Sequence, residues 1–286
     1  MDKVKVGLVG VGSISQIVHL PILKKMQNVE VRALCDVDET KMARLLEKFE
    51  VPNWYRTPDL MIKEEELDAV FICTTSHYHF PMAYLALKSG LHVFVEKPIA
   101  LNAPDAKKLV DLAEEKNLTL MVGMQNRFRD DVQILKEFMA NDELGEIFYI
   151  KTGWLRQWDR SPLQPWQVKK EYSGGGVVID MGTQLIDLAM YLTGMPEIER
   201  VRLHDYTLNP DYKVEDAALA VIKAKSGMSI TIEVSWRMHL ERDMVYTHIF
   251  GKKGSAYLNP LRIHKELHGN LVNVTPLLQN QNSELR

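Results

Sequence analysis

Two short segments of this chain carry residue types and spacings that could do chemistry. Gly10-Val11-Gly12-Ser13-Ile14-Ser15 follows an apolar run and opens a helical pattern, and Glu96-Lys97-Pro98 follows the apolar run Leu91 to Val95. A strand ending at Gly10 allows a tight turn, Gly12 lets backbone approach a pyrophosphate, and the loop through Ser13 and Ile14 leads into a helix whose free N–H groups can meet phosphate oxygens. Further on, Asp36 ends a second strand-like run, where a carboxylate can accept hydrogen bonds from both hydroxyls of an adenosine ribose. That placement favours NAD over NADP. The competing interpretation is a plain glycine turn with an Asp that caps the helix starting near Glu39. Strand, glycines, helix and second-strand Asp occur in the order that dinucleotide binding needs, which favours the cofactor. Lys97 at a strand end can bind a hydroxyl as an ammonium and accept its proton as an amine. Taken alone, Glu96-Lys97 would be a solvated ion pair.

The elements that must position these residues follow an alternating grammar. Strands are predicted at Lys3–Val9, Val29–Cys35, Ala69–Thr74, His92–Val95 and Thr119–Val122, with helices over Ser15–Met26, Glu39–Phe49, Phe80–Ser89 and Ala103–Lys116. Repeated β-α-β units of this kind make a buried parallel sheet. Pro104 sits in a first helical turn, where its missing N–H is harmless, and Ser89-Gly90 and Lys116-Asn117 are helix stops. After Gly123 longer alternating runs take over, at Ile147–Leu155, Ala217–Lys225, Met228–Trp236 and Met244–Phe250. Lys225-Ser226-Gly227-Met228 reads as a hairpin and Gly251-Lys252-Lys253-Gly254 as another turn. The expected fold is α/β: an N-terminal Rossmann doubly wound parallel sheet over 1–122, then an α+β domain with a large, mainly antiparallel sheet over 123–286.

Composition narrows the function classes. The 286 residues are 46% hydrophobic and 26% charged with a formal net charge of -3, and no dense Lys/Arg block offers a footprint for nucleic acid or an anionic membrane. Cys35 and Cys73 end apolar runs and read as buried free thiols, which fits a reducing compartment. No apolar stretch reaches the length of a membrane span, and Met1-Asp2-Lys3 leads into a strand without a signal-peptide region, so a cytoplasmic location is expected. There is no internal repeat. The polar tail Leu278 to Ser283 reads as disordered. His77 and His79, spaced i,i+2 without a carboxylate cluster, do not make a metal site, and none is expected.

Several ordered motifs together resemble the Gfo/Idh/MocA oxidoreductases, the group that includes glucose-fructose oxidoreductase and inositol dehydrogenase, over most of the chain. Besides Glu96-Lys97-Pro98, Cys73-Thr74-Thr75-Ser76-His77-Tyr78-His79 is similar to the family's fourth-strand loop, usually Thr-Pro-Asn-His-x-His, with Thr75 and Ser76 as departures. Gln125-Asn126-Arg127-Phe128 resembles its segment after the sixth strand, and Gly174-Gly175-Gly176 through Asp187 its entry to a second-domain helix. The resemblance implies that Lys97 points toward nicotinamide and substrate, with a cis bond before Pro98, and that Thr74, Thr75, His79, Glu96, Lys97 and Arg127 join Gly10, Gly12, Ser13, Ile14 and Asp36 at the cofactor. It also implies a catalytic segment Asp-x-Gly-x-His-x-x-Asp, read here as Asp180-Met181-Gly182-Thr183-Gln184-Leu185-Ile186-Asp187, with Gln184 where His is usual. An amide hydrogen-bonds without titrating, so Gln184 can orient a substrate but cannot be its base. Residues 180, 184 and 187 are expected on one helical face. Asp187 can equally belong to a polar stripe, and Asp180 to a helix N-terminal charge or cap. The family usually continues into a helical return packed on the dinucleotide domain, and this sequence ends before one.

Arg127 has three uses open: a substrate contact, a cofactor carboxamide contact, or an ion pair with Asp130 or Asp131. Trp154, Trp158 and Trp166, with Arg156, Asp159 and Arg160, can form an aromatic and polar wall for a sugar ring, or simple sheet packing with a solvated loop. The expected activity is hydride transfer between a nicotinamide and a sugar, cyclitol or related polyol, with Lys97, Asp180 and Gln184 as the catalytic set and Lys97, Arg127, Trp154, Asp180 and Gln184 contacting substrate. NAD-assisted glycoside hydrolysis and a non-enzymatic dinucleotide sensor are the alternatives. A homo-oligomer joined through the outer face of the second sheet is expected.

Overall fold

A computed structural model describes residues 3–158 and 163–277. Met1 and Asp2 ahead of the first strand, Asp159 and Arg160 of the expected sugar wall, and the tail from Leu278 lie outside the described residues. Two compact units emerge, one formed by 1–123 with 170–174 and the other by 124–169 with 175–286.

In the first unit six parallel strands, β1 (Val4–Val9), β2 (Val29–Cys35), β3 (Asn53–Tyr55), β4 (Ala69–Ile72), β5 (His92–Val95) and β6 (Leu120–Val122), lie in the order β3-β2-β1-β4-β5-β6. The order runs outward both ways from β1, which makes the carboxyl ends of β1 and β4 the switch point where such sheets bind ligands. Alternate side chains feed two cores. Val6 and Leu8 join Leu20, Leu23, Met42 and Leu45 on one face, while Val9 joins Met61, Val70, Ile72, Ala86 and Leu109 on the other. Burial on both faces explains why these strands read as continuous apolar runs.

The helix expected over 15–26 is instead a wide π-helical turn, Ser15–His19, followed by an α-helix, Leu20–Lys25. Pro21 removes one backbone donor and crowds the preceding turn, which breaks regular α-helical bonding. Strand β3 and the helix Pro58–Glu64 were not anticipated; three and seven residues are too short to show a period.

The second unit contains eight strands, β7 (Ile147–Gln157), β8 (Ile198–Tyr206), β9 (Ala217–Ala224), β10 (Ser229–Met238), β11 (Met244–Gly251), β12 (Gly254–Leu258), β13 (Arg262–Leu267) and β14 (Asn270–Asn273), ordered β14-β13-β12-β11-β7-β10-β9-β8. The interior pair β7–β10 is parallel and the other pairs are antiparallel. One face packs under the helices Asp130–Ala140 and Thr183–Leu192, through Val132, Leu135, Leu185 and Leu188 against Ile150, Ile230, Ile232 and Ile249. Strand β8 escaped the sequence pattern because eight of its nine residues are exposed, leaving no alternation.

Candidate functional site

At the end of β1, Gly10 has φ +87°, and a Cβ there would stand 2.7 Å from the Cys73 carbonyl oxygen. Both facts demand glycine. Its N–H donates to the Cys35 carbonyl at 2.8 Å, and its own carbonyl accepts from the buried Ser15 hydroxyl at 2.5 Å. Ser15 therefore replaces a third small residue with a side chain that fastens the loop from below. Gly12 is different: nothing of the protein lies within 4 Å of a Cβ built on it. The space over Gly12, Ser13 and Ile14 is open, and these residues are exposed, which fits a backbone cradle that a pyrophosphate would fill.

Asp36 follows β2 and accepts from the Val11 N–H at 2.9 Å through Oδ2 and from the Asp38 N–H at 3.0 Å through Oδ1. The helix Glu39–Phe49 is capped by Asp38, whose Oδ1 accepts from the Thr40 N–H at 3.1 Å. The capping role that competed for Asp36 thus belongs to its neighbour. Asp36 is locked to the glycine loop itself, with Lys41 Nζ 3.3 Å from Oδ1. Carboxylate, glycine turn and helix start fit the adenosine end of a dinucleotide.

The loop after β4 corrects one expectation. His79 is 1% exposed, and its Nδ1 and Nε2 lie 2.7 Å and 3.0 Å from the carbonyl oxygens of Pro98 and Thr74. Both ring nitrogens are engaged by protein, so His79 acts as an internal strut and has no ring nitrogen left to hydrogen-bond a cofactor. It ties the Thr74 backbone to the Lys97–Pro98 segment, whose peptide bond is cis. Thr74 and Thr75 stay partly exposed, and Thr75 Oγ1 lies 3.3 Å from His77 Nδ1. Burial holds His77 below the ordinary imidazole range, opposed by a hydrogen bond with the Tyr172 backbone. Lys97 is half-buried after the end of β5.

Glu96 accepts from, or pairs with, His19 Nε2 at 2.8 Å, and His19 lies edge-on to the stacked rings of Phe71 and Phe94. His19 went unnoticed in the sequence. The available signal was its place one turn beyond Ser15, on the helix that packs along the switch-point strands.

In the second unit the wide helical turn Val178–Gly182 precedes the helix that carries Gln184 and Asp187. Gly176 presses on the Glu215 backbone, and the Glu215 carboxylate accepts from the N–H groups of Gly176 at 2.9 Å and Val178 at 3.2 Å. Glu215 thus satisfies the helix start. The Asp180 carboxylate accepts from the Trp236 indole N–H at 2.9 Å. The buried Gln184 accepts through Oε1 from Gln125 Nε2 at 3.2 Å, and Asp187 receives the Arg127 guanidinium in a two-pronged pair, Nε to Oδ2 at 2.8 Å and Nη2 to Oδ1. Asp180, Gln184 and Asp187 thus each have a different side-chain partner. Arg127 does not pair with Asp130 or Asp131; Asp131 is taken by Arg129. Gln125 and Trp236 were missed, since 59 and 56 residues separate them from the groups they hold.

Trp154 packs on the second core, paired in register with Val234 and Val245, and Trp158 stacks on His239 with ring centres 6.2 Å apart. Among the described residues, no group of three or more His, Cys, Asp or Glu could hold a metal ion, and no helix is long and apolar enough to cross a membrane.

Residues 4–124 match the model described as an oxidoreductase family with an NAD-binding Rossmann fold, and residues 132–257 match the GFO/IDH/MocA C-terminal domain. The chain is 28% identical to the D-glucoside 3-dehydrogenase of Escherichia coli (strain K12), over 95% of this chain and 81% of that protein. It is 29% identical to the myo-inositol 2-dehydrogenase of Thermotoga maritima, over 90% of this chain and 76% of that one. Levoglucosan dehydrogenase, solved with NADH and levoglucosan, shares the fold at a TM-score of 0.85 and 22% identity, covering 96% of this chain and 80% of that one. With both family models matched in order, and with the Rossmann strand order and the mixed eight-stranded sheet in place, the chain belongs to the Gfo/Idh/MocA oxidoreductase family.

Proposed function

We propose that the protein is an NAD-dependent dehydrogenase that moves hydride to or from a carbon of a sugar, cyclitol or related polyol. The observation that carries this reading is the open Gly12 cradle fastened directly to Asp36 through the Val11 N–H. Its relatives named for glucoside and myo-inositol oxidation support the substrate class.

Gly10, Gly12, Ser13 and Ile14 would hold the pyrophosphate, Asp36 the adenosine ribose, and Thr74, Thr75, Glu96 and Lys97 the nicotinamide half. When bound, the nicotinamide supplies a hydride acceptor or donor. Lys97 binds the reacting hydroxyl, accepts its proton in oxidation and returns it in reduction. Its charged form also stabilises negative charge developing on that oxygen. Asp180 and Gln184 are proposed as substrate-positioning groups, Gln184 through neutral hydrogen bonds alone. Arg127, engaged by Asp187, would act in orienting the helix that carries Gln184 more than as a direct ligand.

We further propose a homo-oligomer joined through the outer face of the second sheet, where Tyr149 stacks on Phe250 at 5.7 Å beside half-buried Tyr246, His248 and Tyr257. Light scattering that returns the monomer mass at every concentration would remove that proposal.

The test of the activity is incubation with NAD and a panel of glycosides, aldoses and inositols, followed by NADH absorbance and product analysis. Net NADH release with one of them is expected. Glycoside cleavage without net NADH would make the protein a hydrolase, and dinucleotide binding with neither outcome would make it a sensor.

A further inference from the structure

Asp36 does not stand alone at the start of the helix Glu39–Phe49. Lys41 Nζ lies 3.3 Å from Asp36 Oδ1 and 3.5 Å from Asp38 Oδ2, so one ammonium is shared by two carboxylates. The three differ in freedom: the Asp36 side chain is 12% exposed, while those of Lys41 and Asp38 are 33% and 45% exposed. Asp36 is also fixed by two backbone N–H donors, and the first turn of the helix fixes Asp38 through Thr40. Lys41, on its four-carbon stem, is the one that can reorient.

A ribose whose hydroxyls are accepted by Asp36 brings its 2′-oxygen into hydrogen-bond range of that carboxylate. A phosphate esterified there carries nearly two negative charges near neutral pH, and an ammonium 3.3 Å from the same carboxylate is within reach of it. Asp36 repels it and Lys41 attracts it. Asp38 decides how much of Lys41 remains available, because it competes for the same ammonium. Arg56, which follows β3, pairs instead with Glu39 at 3.2 Å.

Resting on the dinucleotide-binding reading above, we propose that Lys41 and Asp38 set the cofactor range of this site: Lys41 gives residual acceptance of NADP, and Asp38 restrains it. Preference for NAD is then a graded property of a charge triad, with two carboxylates against one ammonium.

Calorimetry of the full chain with NAD and NADP separately, at matched low salt, tests it. Lys41→Ala should weaken NADP binding by about ten-fold and change NAD binding by about two-fold or less, because only the phosphate ester gains from the ammonium. Asp38→Asn, which keeps a good helix cap, should strengthen NADP binding by about three-fold or more. In the double variant that gain should disappear, since it works through Lys41. Parallel changes in NAD and NADP affinity, an unmoved ratio, or a gain from Asp38→Asn that persists without Lys41 would each overturn the proposal. Failure of the native protein to bind either dinucleotide would instead remove the functional reading itself, and this inference with it. Melting curves of each variant distinguish a lost site from a lost fold.

Discussion

In the first unit Asp36, Ser15 and His79 are fastened to main chain, whereas in the second Asp180, Gln184 and Asp187 are fastened to other side chains. Asp36 is held by the N–H groups of Val11 and Asp38, Ser15 by the Gly10 carbonyl, and His79 by the carbonyls of Thr74 and Pro98. Gln184 leans on Gln125, Asp187 on Arg127 and Asp180 on Trp236, all through side chains. A backbone-anchored group keeps its place when a neighbouring side chain changes. Groups that hold each other respond together when one is altered. On the proposed function, the first arrangement would suit a cofactor whose shape does not vary, and the second would let substrate preference shift by exchange of a few side chains.

The sharpest way to break this division is to remove one chemical group from each unit. Lys97→Met should lower kcat by about 10²–10⁴-fold while NAD affinity, measured by calorimetry, stays near native. Gln184→Ala should act mainly on KM, because it removes only neutral hydrogen bonds. Gln184→His asks whether the amide is a specific fit: a lower kcat/KM than native would mean that substrate geometry is tuned to Gln. Unchanged turnover in Lys97→Met would eliminate the proposed mechanism.

The same contrast explains what the sequence could reveal. β1, β2 and β5 were visible to within a residue because burial on two faces makes continuous apolar runs, and Gly10, Gly12 and Asp36 sit at their ends by rule. Asp36 could be weighed against a capping role, and the geometry gives that role to Asp38. The second unit was legible where β9, β10 and β11 alternate, and illegible in β8, which is exposed on both faces. Its polar partnerships were out of reach. Nothing local in Gln125 or Glu215 announces Gln184 or the backbone at Gly176 as a partner. His79 misled for a related reason: a loop histidine looks available until two carbonyls are found on its ring.

Two glycines sharpen the backbone half of the comparison. Gly10→Ala forces a side chain into φ +87° and against the Cys73 carbonyl, and should cost about 2–4 kcal/mol of stability in urea unfolding. Gly12→Ala meets no protein atom within 4 Å, so its stability should stay native while dinucleotide affinity falls. Equal destabilisation by both would refute the idea that Gly12 faces ligand space.

Arg127→Met tests the side-chain half. It leaves Asp187, whose side chain is 11% exposed, without its main partner, and should cost about 1–3 kcal/mol, reduced from a fully buried value because Arg127 itself is 33% exposed. The double change Arg127→Met with Asp187→Leu should recover part of that loss. Strict additivity of the two single effects would mean that the pair is not coupled and that the network description fails.

The smallest expected effect concerns acid. Each unit holds a histidine that burial keeps below the ordinary value of 6.5, His77 in the first and His248 in the second. A depressed imidazole pKa means that the unfolded chain binds the proton more readily, so the stability each neutral ring supports is present above pH 6.5 and is lost as pH falls from there through the folded-state value. His248 should lose more. Burial and the Lys151 charge both oppose its protonation, and burial keeps the phenol of Tyr246 beside it neutral. At His77 burial and the His79 ring oppose the charge, but a backbone bond to Tyr172 favours it. Urea unfolding between pH 7.5 and 5, at one protein concentration and for native, His77→Gln and His248→Gln chains, should therefore show the acid-side decline flattened more by His248→Gln. A larger flattening from His77→Gln would reverse the assignment and place the more acid-sensitive packing in the cofactor-binding unit.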